Sequence, residues 1–351
     1  MRTGPTHVVN IGFSQPSHPG DFVTATRIGR MNRRHVLGAM AVSACPLHLL
    51  AQEAFPSRSI RLIVPFAAGG GTDILARLLA SGMSTRLGQQ VVVENLTGAG
   101  GTIGAMQVAR STPDGHTLMI GTPGSILSNS AMQPDLKYSA HNDFIPISKF
   151  SDSPVVLIAN KDVPWNSAQE FLAAARANPA SINYGSAGLG SIEHLSTELF
   201  QLLTKVQLVH VPYRGTAQSL IDLRSGAIQV IFENLPPVLK LIQAKEVKAF
   251  AIGSKDRSRF LPELPTLAES IAPGYDSTSW TGLFAPTGTP AAVVSRLEKV
   301  VMEVARDPKV SAVVRELGGE SVGSSAEELK TFLLQRRPIV EQIFKSSGTK
   351  N

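Results

Sequence analysis

Cysteine is almost absent: Cys45 is the single one among 351 residues. That excludes an internal disulfide framework and a cysteine-based zinc site. Histidine is sparse as well. Beyond residue 51 only His116, His141, His194 and His210 occur, and none forms a His-x-x-x-His pair or another ligand spacing. No metal and no other cofactor is expected. Long apolar runs are also missing: the stretch after Arg34 falls short of the roughly 20 residues a membrane-spanning helix needs, and Pro46 and His48 interrupt it. Surplus charge of one sign is missing too. The whole chain carries +6, but residues 1–51 hold five arginines and one aspartate, which leaves residues 52–351 at +2. The tight basic clusters there are small, such as Lys255–Arg259 and Arg336-Arg337. No nucleic-acid partner is expected. What is present is apolar: 43% of the residues are hydrophobic, enough for sizeable cores. The length suits two domains.

Residues 31–51 run from Met31 through Arg33-Arg34 into an apolar segment that ends in the small residue Ala51. A basic start, an apolar middle and a small end are the layout of a secretory signal peptide. Residues 1–51 are therefore expected to be a lead plus signal peptide, with Met31 as the true start. Residues 1–30 would be an over-extended gene prediction or else a disordered lead. The paired arginines resemble a twin-arginine signal. Val42-Ser43-Ala44-Cys45 resembles a lipobox, yet the apolar run continues past Cys45, which favours cleavage near Ala51 and a soluble product.

Beyond that point short β-branched runs alternate with helical patterns. Expected strands are Ile60–Val64, Gln90–Glu94, Thr117–Ile120, Val155–Ala159, Ile182–Tyr184, Gln207–Val211, Ile228–Phe232, Val247–Ile252 and Trp280–Ala285. They are near-continuous apolar runs, as in strands covered on both faces. Helices are expected over Thr72–Leu87, stopped by Gly88, and over Ser167–Ala177 beneath a cap at Asn166. Two more are expected from Thr289-Pro290 and from Ser324-Ser325, the last kinked or broken at Pro338. Strand–helix alternation implies an α/β fold with mostly parallel sheets. No long polar linker divides the chain, so extended segments should cross between domains, with Val155–Ala159 and Trp280–Ala285 as candidates.

Several strand-to-helix loops share one construction. Pro65-Phe66-Ala67-Ala68-Gly69-Gly70-Gly71-Thr72-Asp73 leaves a strand, offers backbone amides through three glycines, and enters a helix where Thr72 and Asp73 suit the cap. A helix start with free amides holds an anion, either carboxylate or phosphate. The loop lacks a phosphate-loop lysine and does not fit Gly-x-Gly-x-x-Gly. Gly185-Ser186-Ala187-Gly188-Leu189-Gly190-Ser191 and Gly121-Thr122-Pro123-Gly124-Ser125 repeat the design. Together they imply a ligand cleft at the carboxyl ends of strands. Gly98–Gly104 is a further glycine-rich segment, for which a packing role weighs at least as much as a ligand role. His210–Thr216, with Tyr213, Arg214 and Gly215, and Phe232–Pro236, with Asn234, look like pocket walls. Asn234 suits a helix cap or a bridge between domains. Ser191, His194 and Asp73 supply the residue types of a hydrolytic triad, but Gly-x-Ser-x-Gly is absent, and His194 suits helix packing as well. Glu193 is expected to face solvent.

Phe55-Pro56, Ile60–Gly70, Thr72-Asp73, Val91–Asn95, Gly98–Gly101, Pro113-Asp114-Gly115, Tyr184–Gly188, His210–Tyr213 and Trp280–Leu283 together resemble the Bug family, the periplasmic receptors of tripartite tricarboxylate transporters. The resemblance spans residues 55–349. It implies a two-lobed, hinge-closing binding protein of the Venus-flytrap type, each lobe a mostly parallel sheet flanked by helices, with no catalytic activity. One lobe would comprise 55–154 and 278–351, the other 155–277. A small carboxylate would lie between the lobes, held by Phe66, Ala67, Ala68, Gly70, Gly71, Thr72 and Asp73 and by Ser186, Ala187, Gly188, Gly190 and Ser191. Thr122 and Ser125 would lie nearby, and Tyr213, Gly215 and Asn234 complete the expected site. Residues at the far end of the ligand would set specificity. Implied partners are the membrane subunits of such a transporter or a sensor ectodomain, with the receptor itself a monomer. The family often has Asn, Lys and Asp where Thr102, Arg214 and Glu233 stand. A secreted serine hydrolase and an envelope protein without a transport role are the alternative readings. Substituting Asp73 or Gly70 is expected to weaken binding and spare the fold.

Overall fold

The computed structural model describes residues 55–347, Pro134 excepted. The signal-peptide, start-site and Cys45 expectations lie outside the described residues. In chain order the elements are β1 (Ile60–Val64), α1 (Gly71–Leu87), β2 (Val91–Asn95), α2 (Thr102–Ala109), β3 (Thr117–Gly121), α3 (Asn129–Met132) and β4 (Phe144–Asn160). Then come α4 (Ala168–Ala177), β5 (Asn183–Ser186), α5 (Ile192–Thr204), β6 (Val209–Pro212), α6 (Thr216–Ser225), β7 (Val230–Asn234), α7 (Leu235–Gln243), β8 (Val247–Ile252) and α8 (Leu267–Ser270). The chain ends with β9 (Thr278–Pro286), α9 (Ala291–Ala305), α10 (Pro308–Glu316), β10 (Glu320–Ser321) and α11 (Ala326–Ser347). Apart from Val155–Ala159, which is only the second half of β4, the apolar runs read from the sequence coincide with strands to within a residue or two.

Strand order is β2-β1-β3-β9-β4-β7-β5-β6, with β10 and β8 also paired to β4. The expected parallel pairing holds where strand–helix units follow one another, at β1/β2, β1/β3, β5/β6 and β5/β7. It gives way to antiparallel pairing wherever β4 and β9 take part. The resulting α/β fold is mixed. β4 pairs with β9 as far as Pro154. From Val155 onward it pairs with β7 and β8.

The first half of β4 is absent from the sequence reading for a physical reason. Phe144–Pro154 contains two prolines and several serines, residues disfavoured inside strands. Register shifts at Pro146/Ser148 and Lys149/Ser151 absorb the irregularity. The buried serines find partners: the Ser148 hydroxyl donates to Ser324 O at 2.6 Å, and the Ser151 and Thr281 hydroxyls pair at 2.7 Å.

Helix ends correct four expectations. Ser167, not Asn166, caps α4 by accepting the Glu170 amide. Pro290 occupies the cap position of α9, while the Thr289 hydroxyl donates to Pro286 O. α1 starts from Gly70, with no side-chain cap from Thr72 or Asp73. Pro338 lies inside α11, which continues to Ser347. A proline removes one helical hydrogen bond, but buried Leu329, Val340, Ile343 and Phe344 on either side of it hold the helix against the body of the protein.

The core falls into three clusters of buried residues. One cluster runs from Ile63 and Met119 through Val155, Phe171, Phe200 and Phe232 to Trp280, Phe284 and Phe344. A second packs one face of β1 and β3 against α1 and α9, and a third packs β4, β7 and β8 beneath α6 and α7. Gly121, the last residue of β3, sits where a side chain has no space: a Cβ there would lie 2.4 Å from the Phe284 ring and 2.9 Å from Ile126. Gly121→Ala should therefore cost about 1–3 kcal/mol of stability. Urea unfolding measures this, and an unchanged midpoint would contradict the packing described here.

Candidate functional site

α1 begins with extended Gly70 at its cap, and Ala67–Gly71 are exposed. The first amides of a helix have no carbonyl within it, so this start presents donors and a partial positive charge outward. Asp73 holds the loop from behind. It is 3% exposed. Its Oδ2 accepts from the Gly69 amide and from Arg77 Nε, both at 2.9 Å, and its Oδ1 accepts from Asn95 Nδ2 at 2.9 Å. Asn95 also donates to Phe66 O at 3.0 Å. Burial alone would raise the Asp73 pKa, but the bonds from Arg77, Gly69 and Asn95 outweigh it and hold the carboxyl below its ordinary value. Asp73 thus shapes the loop, and Asn95, which the sequence reading did not place at the site, shares that work.

Thr122 and Ser125 are buried and bonded to each other. The Thr122 amide donates to Ser125 Oγ at 3.0 Å, the Ser125 amide to Thr122 Oγ1 at 3.4 Å. They close a π-helical turn, Gly124–Ser128, that leads into α3.

On the other side, Ser191 caps α5 by accepting the His194 amide. Ser186 is fully buried, and its hydroxyl meets His210 Nε2 at 2.7 Å and the Gly188 backbone at 3.2 Å. Beneath this loop Tyr184, His210, His194 and Phe344 form a column of rings. The two imidazoles stack at 4.4 Å and 7°. His194 Nδ1 accepts the Gly190 amide at 3.1 Å. Desolvation lowers His194 to about 3, with His210 adding to the effect, and lowers His210 to about 4. Both imidazoles are neutral at neutral pH, as an acceptor role requires.

Tyr213 donates its amide to Ser186 O at 3.0 Å and its hydroxyl to Asp222 at 2.8 Å. Gly215, at φ 146°, starts α6, and Arg214 is exposed. Asn234 occupies the cap position of α7 without making a side-chain cap bond, and its Oδ1 is buried without a partner. Glu193, expected in solvent, is 2% exposed.

These loops converge. A Cβ built on Gly101 would lie 3.5 Å from both the Phe66 ring and Ser125; one on Gly124, 3.1 Å from Gly190 O; one on Gly188, 3.3 Å from Tyr213 O. The Gly98–Gly101 segment bends through positive φ at Gly98, Gly100 and Gly101. Asn129, also unforeseen, ties it in by donating to Gly100 O at 2.8 Å. Phe66, Gly101, Ser125, Gly124, Gly190, Gly188 and Tyr213 therefore form a contiguous rim. A triad of Ser191, His194 and Asp73 does not assemble: Ser191 is committed to its cap, the His194 ring to Gly190 and His210, and Asp73 to Arg77 and Asn95. No group of three or more metal-ligating side chains occurs among the described residues.

Residues 75–348 match the family described as the tripartite tricarboxylate transporter family receptor. A protein encoded in the tcbD-tcbE intergenic region of Pseudomonas sp. strain P51 is 37% identical over 305 residues, covering 86% of this chain and 90% of its own. Among solved structures, R. palustris Rpa4515 with adipate is 36% identical with a TM-score of 0.78, covering 84% of this chain and 98% of its own. MatC from Rhodopseudomonas palustris with bound malate is 33% identical with a TM-score of 0.76, covering 82% and 99%. The neighbours are two-lobed binding proteins, and the matched family is one of solute receptors, not enzymes.

Two outcomes follow from the anchors. Asp73→Ala takes the acceptor of the Gly69 amide and one of the two acceptors of Asn95, so it should lower stability by about 1–3 kcal/mol. Thermal unfolding checks this. Histidines depressed in the folded state stabilise above their unfolded pKa of 6.5, and that stability is lost as pH falls through about 4 and about 3. Carbon-13 NMR titration should find neither ring protonated above about pH 5.

Proposed function

Because the chain belongs to the tripartite tricarboxylate transporter receptor family, we propose that it is a periplasmic receptor that captures a small organic carboxylate in a cleft between two lobes. The observation that carries this reading is the rim itself: Gly101 lies against both Phe66 and Ser125, and Gly124 against Gly190, which links the glycine-rich helix starts at Phe66–Asp73 and Ser186–Ser191 through the Thr122–Ser125 turn. Backbone amides at helix starts suit a carboxylate and need no net positive surface. The bound adipate and malate of the two Rhodopseudomonas proteins are ligands of the same class.

In this reading residues 55–154 and 278–351 form one lobe and 155–277 the other, with the change of partners in β4 between Pro154 and Val155 as the crossing. Phe66–Asp73, Thr122 and Ser125 serve the first lobe. Ser186–Ser191, Tyr213, Gly215 and Asn234 serve the second. Asp73, Thr122, Ser125 and Ser186 act through the loops they shape, and backbone amides take the ligand oxygens. The captured acid is handed to the membrane subunits of a transporter. No helix among the described residues is long and apolar enough to cross a membrane.

A thermal-shift and calorimetric screen of small dicarboxylates, malate and adipate included, tests the proposal against the matching amides. An acid that raises Tm where its amide does not supports a carboxylate receptor, since binding the native state stabilises it by mass action. No response to any acid counts against it. Gly70 has an ordinary φ of −76°, and a Cβ there would meet only Ala67 O, at 3.5 Å. Gly70→Val should thus leave Tm unchanged and weaken the acid that responds by ~10-fold or more, about 1.4 kcal/mol. Unchanged affinity would remove this loop from the site.

A further inference from the structure

Glu193 and Glu233 play no part in the reading above, yet they are 2% and 0% exposed. Glu193 stands in the first turn of α5, two residues past Ser191. Glu233 is next to last in β7, beside Asn234. The two carboxyl groups lie within hydrogen-bonding reach of each other. Around Glu233, β4 supplies Val156 as its ladder partner, α6 the Thr216 hydroxyl, and the start of α7 the Asn234 amide, which donates to Glu233 Oε1 at 2.9 Å. The Glu193 carboxyl is the charged group that acts on it. The neighbouring titratable groups face elsewhere: His194 stacks on His210, and Asp222 of α6 accepts from Tyr213. One oxygen of each carboxyl, Oε2, is buried without a partner.

Two buried carboxylates side by side repel each other, and the state in which one keeps its proton is favoured. Burial, together with the Glu193 carboxyl, holds Glu233 well above the usual carboxylate range. With one proton between them, repulsion becomes a charge-assisted O–H···O bond. That bond would join the start of α5 behind Ser186–Ser191, the start of α6 behind Tyr213–Gly215, and the start of α7 at Asn234.

We propose that Glu193 and Glu233 share one proton, and that this buried bond is the positioning element that aligns the starts of α5, α6 and α7. Its bearing on ligand affinity rests on the function proposed above; the bond itself does not. A carboxyl with a raised folded pKa stabilises the fold fully below its ordinary value of 4.5, and that stability is lost as pH rises through the folded value. His194 and His210 impose the opposite slope below about 6.5, so the difference between wild-type and variant profiles isolates the pair.

The experiment uses the full chain, with Glu193→Gln, Glu233→Gln and Glu193→Ala. Tm is followed from about pH 5 to about pH 9 without ligand, and amide hydrogen exchange is mapped at neutral pH. Glu193→Gln, whose amide donates without a shared proton, should keep wild-type exchange and shrink the alkaline fall in Tm to the part that burial of Glu233 alone causes. Glu193→Ala should speed exchange ~10-fold or more at residues 186–192, 213–217, 234 and 235 together. Wild-type pH dependence in both glutamine variants would overturn the proposal, even if Glu193→Ala failed to fold. Faster exchange confined to α5 would overturn it too. Malate and adipate are titrated in parallel. If neither binds wild-type protein, that counts against the ligand reading alone, and the exchange pattern still decides the proposal.

Discussion

A strand that pairs with one set of neighbours over its first half and another over its second ties both sets together, and β4 is such a strand. β9 and β10 take its first half, β7 and β8 its second. Val155–Ala159 are wholly buried there, so both faces must be covered. The strand–helix units on either side are therefore attached to one rod. Their connecting loops, Phe66–Gly71 and Thr122–Ser125 from one group, Ser186–Ser191 and Tyr213–Gly215 from the other, are brought to a common rim.

At that rim the side chains whose chemistry draws attention first are turned inward. Asp73, Ser125, Ser186 and Ser191 have their polar atoms satisfied by neighbouring backbone or side chains. A buried polar group left unpaired costs more than a made hydrogen bond returns, so these residues stiffen the loops. What remains open outward is the backbone amides of helix starts. The stacked imidazoles extend the same logic: burial keeps both neutral, and a neutral ring nitrogen can accept the Gly190 amide where a protonated one could not.

Much of this was legible in one dimension. Apolar runs bounded by glycine and proline mark strands whatever they pair with, because burial on both faces demands such runs. Gly88, in the left-handed conformation, ends α1 as read. The loop motifs were legible too, since only small residues let a backbone present its amides. Other features were not. The first half of β4 carries prolines and serines tolerated only through bulges and partners from Ser324 and Thr281. Pro338 signals a break that distant packing overrides. Glu193 has the sequence context of a solvated helix residue, and only the approach of β7 buries it against Glu233. Asn95 and Asn129 carry no local signal, because their partners lie tens of residues away.

The sequence by itself determined the order of strands and helices, the family resemblance, and which loops offer amides. These depend on side-chain size, polarity and spacing, which act over a few residues. The tertiary structure alone decided which polar groups face one another across segments, and hence their charge states: an ionised Asp73 among donors, two neutral histidines in a ring column, two carboxyl groups sealed together. Those states are set by desolvation and by partners far apart in the chain, and no local pattern encodes either.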